Sequence, residues 1–516
     1  MLQSTLLPSY AWLIAALPLV LLVVLMIFVK MKGTSASAIS WAAAALTAFL
    51  IFGITPMGFL YANSKGIALA VFVLLIIWTS ILLYNIVHAS GAVTVIGTGI
   101  SEVTADKTLQ LLLLGWCFSS LIQGVAGFGV PVAVTAPLLA GIGFSPVVAA
   151  SAVLVGHAWA VTFGSMASSY FTVRLVSTVS DAQLTFWLGI LFIPAVILTG
   201  LAVVHLQEGW AGVRRRLPLV LGTGLLMGVL KLVTAYFGAV QLATVIPAAA
   251  GMAVISAYAG KKTAKPSLKP DHAMNFSSAV LPYGILMVLV VIFQIGPLKQ
   301  AVSSLQIGWS FPAMETLRGF QTAEETNYAA IRLFGHPAPF LLIASVIGVL
   351  FYTSRGYLDR EKLNKAFAAT KKQCVKPTIT IFLLVMMALI MNDSGMTSSL
   401  AGGLARVSGV FFPVVSPFIG VLGSFMTGSN TNSNILFGAF QQQVAIDIGV
   451  PAALLLASQS VGGSLGSAIA PAKVVLGAST TGGIEQSGTI LSITVKYCMI
   501  ITGIIGIFVF LLSLVL

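Results

Sequence analysis

Residues 410–447 read VFFPVVSPFIGVLGSFMTGSNTNSNILFGAFQQQVAID. Two apolar arms flank a turn, Gly428 to Asn434, where Thr427, Ser429, Asn430, Thr431, Asn432, Ser433 and Asn434 crowd together. Each arm runs about 14 to 18 residues, short of the roughly 20 that a membrane crossing needs. Glycine and Asn/Ser/Thr runs end helices and start new ones. Region 409–447 therefore reads as a helical hairpin that enters a membrane and returns to the same side. A polar run this dense inside apolar sequence is expensive unless it lines a site. The alternative is a surface loop between two full spans. Upstream, residues 108–144 read TLQLLLLGWCFSSLIQGVAGFGVPVAVTAPLLAGIGF. Here the turn is Gly124 to Gly129, followed by Pro131, and region 108–145 reads as a second hairpin. Non-helical backbone at membrane depth survives only where it is buried in protein or faces a wet cavity.

The composition around these turns agrees. Of 516 residues, 58% are hydrophobic and 8% charged, with a mean hydropathy of +1.03. A soluble domain carries roughly a quarter charged residues. That excludes a soluble enzyme or a disordered regulator and argues against nucleic-acid binding, despite a pI near 9.7. Cys117, Cys374 and Cys498 fit no disulfide framework and no zinc spacing. Stretches long and apolar enough to span lie near 9–29, 37–55, 66–88, 146–165, 184–205, 217–237, 239–258, 277–295, 337–353, 377–391, 451–470 and 490–513. The first is expected to stay on the chain, since it lacks the basic start and small-residue cleavage site of a signal. The fold class is an all-α polytopic membrane protein, with about 12 transmembrane helices plus two re-entrant hairpins.

Charge sets the orientation. With an extracytoplasmic start, the cytoplasmic loops are 30–36, 206–216, 259–276 and 354–376. They carry 16 of the 26 Lys and Arg, against six in the outer segments. That asymmetry is the positive-inside rule, and it explains the basic pI without a polyanionic partner. Both termini come out extracytoplasmic. The run at 354–376 reads as a solvated cytoplasmic helix.

An internal repeat emerges at an offset of 304 residues. His88-Ala89-Ser90-Gly91 aligns with Asn392-Asp393-Ser394-Gly395, and each Gly precedes its hairpin glycine, Gly124 or Gly428, by 33 residues. A proline, Pro146 or Pro451, then opens the next span. The chain, 1–516, reads as one transporter domain with repeat units 66–205 and 377–513. In the assigned topology the two units insert in opposite senses. Sites in inverted repeats form at the repeat interface near the midplane.

Broken helices expose main-chain N–H groups and the positive end of a dipole, which makes an anion site without a charged side chain. Two facing turns suit a small carboxylate. The substrate-binding candidates are Gly124, Val125, Ala126, Gly127, Phe128, Gly129, His157, Ser429, Asn430, Thr431, Asn432, Asn434 and Gln459. Hydroxyls and amides at Ser429, Asn430 and Thr431 would read a substrate hydroxyl. The span after each hairpin is also interrupted, at Gly156-His157 to Gly164-Ser165 and at Ser458 to Lys473. His157 is either a satisfied structural group or a substrate or proton site. Lys473 either snorkels to the interface or pairs with a carboxylate. Among the acids Glu102, Asp106, Asp393, Asp447 and Glu485, Asp393 stands out. It either caps the following helix or carries a coupled proton. The proton-coupling candidates are thus His157, Asp393 and Lys473. Lys231 receives no role. No paired catalytic carboxylates, zinc signature, nucleophile elbow or phosphate-binding GxxxxGK[ST] loop is present, so neither an enzyme nor a nucleotide-driven pump is expected. No cofactor or metal is expected. A passive channel differs by its inability to move solute against a gradient.

At both hairpins the sequence resembles the lactate permease family: SLIQGVAGFGVPVAVTAPLLAGIGF (120–144) and SPFIGVLGSFMTGSNTNSNILFGAFQQQVAIDIGVPAALLLASQSVGG (416–463). The likeness extends to AEETNYAAI (323–331) and TVKY (494–497). It implies a symporter importing lactate, and often glycolate, with protons across a bacterial inner membrane. GSNTNSN is also similar, over a shorter stretch, to the Ser-Asn-Thr turns of divalent-anion symporters, where such turns hold sodium and a carboxylate. Sodium is therefore the alternative coupling ion. Three positions depart from the family pattern. Gln123 stands where the family has glutamate, His157 where it has asparagine, and Ala470-Pro471-Ala472-Lys473 where it has Ser-Pro-Gln. A glutamine cannot exchange a proton, so His157 or Asp393 is expected to take over that role. The implied partners are a carboxylate, a coupling ion and the lipid bilayer; oligomeric state is left open.

Overall fold

The computed structural model describes residues 10–29, 31–101, 103–127, 129–260, 274–293, 305–332 and 336–516. Phe128 and Glu102, and the loop lysines Lys30, Lys261, Lys262, Lys265, Lys269 and Lys299, lie outside the described residues.

Two long helices form the spine. Helix α1 (Pro56–Ala89) starts at Thr55, whose hydroxyl accepts from the Gly58 amide at 3.0 Å, with proline at the first helical position. It lies antiparallel to α8 (Arg360–Asp393), as three contacts along the pair show. Gly66 packs on the Met386 backbone, Trp78 Nε1 donates to Thr378 Oγ1 at 3.0 Å, and Asn85 Nδ2 donates to Thr370 Oγ1 at 2.9 Å.

Against this spine packs a set of shorter, interrupted helices. Helix α2 (Lys107–Val125) is capped by Asp106, whose carboxylate accepts from the Thr108 and Leu109 amides at 3.0 and 3.1 Å. After the turn comes α3 (Val130–Gly141), then α4 (Pro146–Gly156) and α5 (Gly164–Leu175). Through the short 3-10 turn Ala158–Ala160, α4 meets α5 at a bend of 49°. Helix α6 (Asp181–Tyr236) is followed by α7 (Val245–Ala259). In the second half, α9 (Phe412–Thr427) leads to α10 (Asn430–Ile448), α11 (Ala452–Gly466), α12 (Pro471–Thr480) and α13 (Ser487–Val515).

Among the described residues ten helices are long and apolar enough to cross a membrane, or eleven if the bent α4–α5 pair is one span. This divides the apolar sequence differently from the expected 12 spans and two hairpins. Helix α6 is hydrogen-bonded over 56 residues, yet Gly209 is non-helical at φ 63° and ψ −158°. Gly189 packs on Leu232 and Gly228 on Ile193, so its two arms run antiparallel on either side of that glycine. Phe276–Ile292 has 17 residues, and the first apolar stretch is divided into Ala11–Ala15, Leu17–Val23 and Val24–Phe28. Conversely α2 is long enough to count, although it reads from sequence as a hairpin arm. The outer faces are apolar: Leu50 is 73% exposed and Leu350 66%. Surfaces of this kind belong in hydrocarbon rather than water.

One element was not expected from the sequence. β1 (Gln306–Phe311) pairs antiparallel with β4 (Glu325–Arg332), with Gln306 opposite Arg332 and Phe311 opposite Glu325. Within that ribbon β2 (Met314–Glu315) pairs with β3 (Gln321–Thr322). The ribbon sits on the start of α1, where Lys65 Nζ lies 3.2 Å from Glu325 and the Tyr61 and Phe311 rings are 6.2 Å apart.

Candidate functional site

The second turn is built by its local chemistry. Gly428 ends α9 at φ 72°, a left-handed conformation that glycine adopts without a Cβ penalty. Ser429 is extended, and its hydroxyl accepts from the Asn432 amide at 3.4 Å as the cap of α10. The first amides of α10 have no intrahelical acceptor and point back at the turn. All of Asn430, Thr431, Asn432, Ser433 and Asn434 are buried.

The first turn approaches the break in the α4–α5 span. Ala126 is extended at φ −137° and ψ 112°, and Gly129 opens α3 at φ 91°. Gly127 lies so close to Ser165 Oγ that a Cβ there would displace the Ser165 hydroxyl. Beyond the break, Ser165, Met166 and Ala167 are all left-handed, with φ of 46°, 54° and 66°. Such residues carry strain of about 1–3 kcal/mol each, and strain of this kind clusters at functional sites. The Tyr170 amide bridges back over the run to Thr162 O at 3.0 Å.

Turn and break are stitched together. Asn430 Nδ2 donates to Thr162 Oγ1 at 2.9 Å, and Thr162 Oγ1 donates to Ser460 O at 3.0 Å. The Ser169 and Thr431 hydroxyls are 2.9 Å apart. Asn434 Nδ2 reaches Ser169 O at 3.1 Å and Ser460 Oγ at 3.0 Å. Behind them Gln459 Nε2 donates to Ser433 Oγ at 3.0 Å, and Gln441 Nε2 donates to Gln459 Oε1 at 3.1 Å.

Between these elements lies a small polar cavity of about 20 Å³. Gly428, Ser429, Asn430 and Thr431 form one wall; Val161, Ser165, Ser168 and Ser169 form another; Gln123 and Lys473 complete it. Lys473 Nζ donates to Ser467 Oγ at 2.6 Å, which uses one of its three N–H donors. Gln123 Oε1 and Asn430 Oδ1 are buried acceptors that receive no hydrogen bond. A cavity that offers an ammonium and helix-start amides suits an anion; at about 20 Å³ it holds about one water and must widen to admit a larger solute.

The candidates from sequence thus divide. Ser429, Asn430, Thr431 and Lys473 line the cavity. Gly127 and Gly129 shape the adjoining turn, while Gly124 packs against Val245 and Val125 faces an apolar crevice between the helices. Asn434 and Gln459 belong to the network behind, and Asn432 is buried beside it. His157 ends α4, with Nδ1–H donating to Val153 O at 2.5 Å and Nε2 unpartnered. Asp393 lines a separate cavity, 3.2 Å from Lys65 Nζ. The sequence candidates omitted Ser165, Ser168, Ser169 and Thr162, and treated Gln123 only as a departure from a pattern. The run Gly164-Ser165-Met166-Ala167-Ser168-Ser169, small and polar just after a break, was the available signal.

A family model described as L-lactate permease matches residues 11–516. The chain belongs to that family. The permease is 27% identical over 524 residues to an L-lactate permease of Escherichia coli (strain K12), covering 96% of this chain and 94% of the relative. It is 30% identical over 534 residues to the glycolate permease GlcA of the same strain, with the same coverage. An L-lactate permease of Halalkalibacterium halodurans is 25% identical over 521 residues, covering 97% of this chain and 96% of that one. Among solved structures, the YdaH transporter of Alcanivorax borkumensis covers 89% of each chain at 13% identity and a TM-score of 0.47. The permease is a multi-pass membrane transport protein and not an enzyme.

Proposed function

We propose that this permease imports a small 2-hydroxy monocarboxylate, L-lactate or glycolate, across a bacterial inner membrane together with protons. The observation that carries the reading is the polar cavity where Lys473 and the start of α10 converge. The carboxylate takes the remaining Lys473 donors and the first α10 amides. Gln123 Oε1 accepts the proton of the 2-hydroxyl, which separates these acids from acetate. His157 and Asp393 stand outside the cavity lining, so neither touches substrate in this reading. The printed names of the relatives, L-lactate and glycolate permeases, support the substrate class.

Units 66–205 and 377–513 act as oppositely inserted repeats, with hairpins 108–145 and 409–447 re-entrant and both termini extracytoplasmic. The antiparallel pairing of α1 and α8, which hold equivalent places in the two units, supports this. Alternating access then moves the hairpins and broken spans against the remaining helices. Sodium is a second reading for the coupling ion. Four buried, unpartnered oxygens at Ser424, Asn430, Asn432 and Asn434 favour it, since hard cations take oxygen ligands.

Uptake of labelled L-lactate into proteoliposomes, with proton and sodium gradients imposed separately, tests both readings. A proton gradient alone is expected to drive accumulation, with glycolate competing and acetate competing poorly. Unchanged uptake after Asn430→Ala and Thr431→Ala together would remove the site assignment.

A further inference from the structure

We propose that Lys231 is a tethered cation at the break of the α4–α5 span, and that loading and unloading one proton at its Nζ is the ion-coupling step. The proposal rests on the polar cavity being a transport site, and not on which carboxylate is carried. A half-helix that stops inside the protein leaves carbonyls at its C-terminal end without N–H partners, where the dipole is negative. Three side chains meet those carbonyls here. Ser464 Oγ donates to Ala158 O at 2.5 Å, Thr244 Oγ1 to Ala160 O at 3.1 Å, and Lys231 Nζ to Trp159 O at 3.1 Å. Only the last brings a charge.

Lys231 is fully buried. Its Nζ lies 4.2 Å from the Phe192 ring centre, 4.8 Å from Trp159 and 4.9 Å from Phe163. Ring faces attract an ammonium, yet they do not neutralise it. Among the described residues no carboxylate pairs with Lys231, unlike Lys65. The titratable groups on the surrounding elements are otherwise engaged or removed from it. Asp181 binds Arg174 and Tyr170, His205 binds Tyr497, Glu208 binds Arg215 and Thr108, and His157 binds Val153 O. Lys473 sits on α12 at the cavity, Cys117 is a buried thiol on α2, and Tyr258 is exposed near the end of α7.

A cation captured from solution at these carbonyls would do the same work, as helix C-termini do for coupling ions in broken-helix transporters. A tethered amine differs in that only a proton can load it. The neutral amine takes one proton on the outer side and becomes the ammonium; on the inner side it returns that proton. No other bond changes. The deprotonated amine still reaches Trp159 O but no longer offsets the dipole. Val161, two residues on, lines the cavity, and Thr162 holds Asn430. The charge on Nζ is therefore felt where substrate binds.

Hydrogen–deuterium exchange of the full-length protein across a range of pD tests this without any substrate. In the wild type, protection of residues 158–164 is expected to fall as pD rises, beyond the intrinsic rate trend. In Lys231→Met, which fills the ring cage but takes no proton, that segment is expected to show the intrinsic trend alone. The same response in both proteins, or no response in the wild type, would overturn the proposal. In proteoliposomes Lys231→Met is expected to lose about tenfold or more of pH-gradient-driven lactate accumulation while keeping lactate exchange within about threefold. Equal loss of accumulation and exchange would mark a merely structural lysine and overturn it. Lys231→Arg, which stays charged, is expected to lose accumulation and pD response alike, and it decides the matter if the methionine variant does not fold. A wild type that moves neither lactate nor glycolate defeats the substrate reading, while the pD comparison still decides the role of Lys231.

Discussion

Lys65 and Lys473 are both buried lysines in a largely apolar protein, yet their surroundings are opposite. Lys65 sits 3.2 Å from Asp393 and 3.2 Å from Glu325, at the seam where the β-ribbon meets α1 and α8. Its charge is balanced twice over. Lys473 has a serine hydroxyl and an open polar cavity. A buried ammonium without an anion is costly: it either gives up its proton, as proposed for Lys231, or is completed by an anion from outside, as proposed for Lys473. In the proposed reading the first lysine serves assembly, and the second serves binding. The sequence offered Asp393 and Lys473 as equals, and the geometry separates them.

The sharpest way to break this contrast is Lys473→Met. Loss of one partner of a desolvated charge pair is worth about 3 kcal/mol, which is about 100-fold in transport efficiency. The expected result is that loss in labelled-lactate uptake, with the purified protein still monodisperse and its melting midpoint little changed. Uptake within threefold of wild type would show that Lys473 is no counter-ion.

At the other lysine the readouts reverse. Lys65→Met leaves Asp393 buried beside Glu325 with no cation, a change of the kind that destabilises by about 3 kcal/mol or more. Thermal melting should register it strongly, whereas uptake per folded molecule should stay within about twofold. Adding Asp393→Leu should restore much of the lost stability, because an apolar pair can replace a buried ion pair at little net penalty. If Asp393→Asn instead abolished proton-driven uptake at unchanged melting, Asp393 would be a coupling group and the contrast would fail.

How far the sequence could be read follows the same division between local and distant chemistry. The turn Gly428–Asn434 was legible because its polar residues are contiguous and its flanks apolar. Lys473 was legible because it follows Pro471 at the end of a broken span. The opposite wall was not. Ser169 meets Thr431 across 262 residues, and the small polar run Ser165 to Ser169, though it follows a break, does not show which distant turn it faces. The β-ribbon was missed for a different reason. β4 mixes polar and small residues without clean alternation, and register shifts interrupt its pairing with β1. Lys231 received no role from sequence, since its ring cage is assembled from residues 159, 163 and 192, each an ordinary apolar residue in its own segment.

A smaller effect sharpens the comparison within the binding half. Ser169→Ala removes the hydroxyl that meets Thr431, while the main-chain Ser169 O still accepts from Asn434. A lost hydrogen bond between neutral groups is worth about 1 kcal/mol. The expected outcome is a fivefold or so rise in the KM for lactate with little change in maximal rate. A change confined to maximal rate would assign Ser169 to the moving break rather than to the substrate wall.

The smallest effect lies at the base of the first hairpin region, where α2 begins. Burial pushes the Asp106 carboxyl up, but the Leu109 amide, the Arg216 guanidinium and the Thr108 amide outweigh it and hold it below the usual carboxylate range. A carboxyl depressed by folding contributes stability above its unfolded pKa and loses that contribution as pH falls through the folded value. Asp106→Ala, which deletes the helix cap, is expected to lower stability at neutral pH by about 1 kcal/mol. Arg216→Ala should do less, since the two amide bonds to the carboxylate remain. Melting of wild type and Asp106→Ala should converge as the medium is acidified through the carboxylate range, because protonation removes in the wild type what the substitution has already removed. Curves that stay parallel down to acid pH would mean that Asp106 acts only through its shape as a cap. The charge at the hairpin base would then be as dispensable as the charge at Lys473 is expected to be essential.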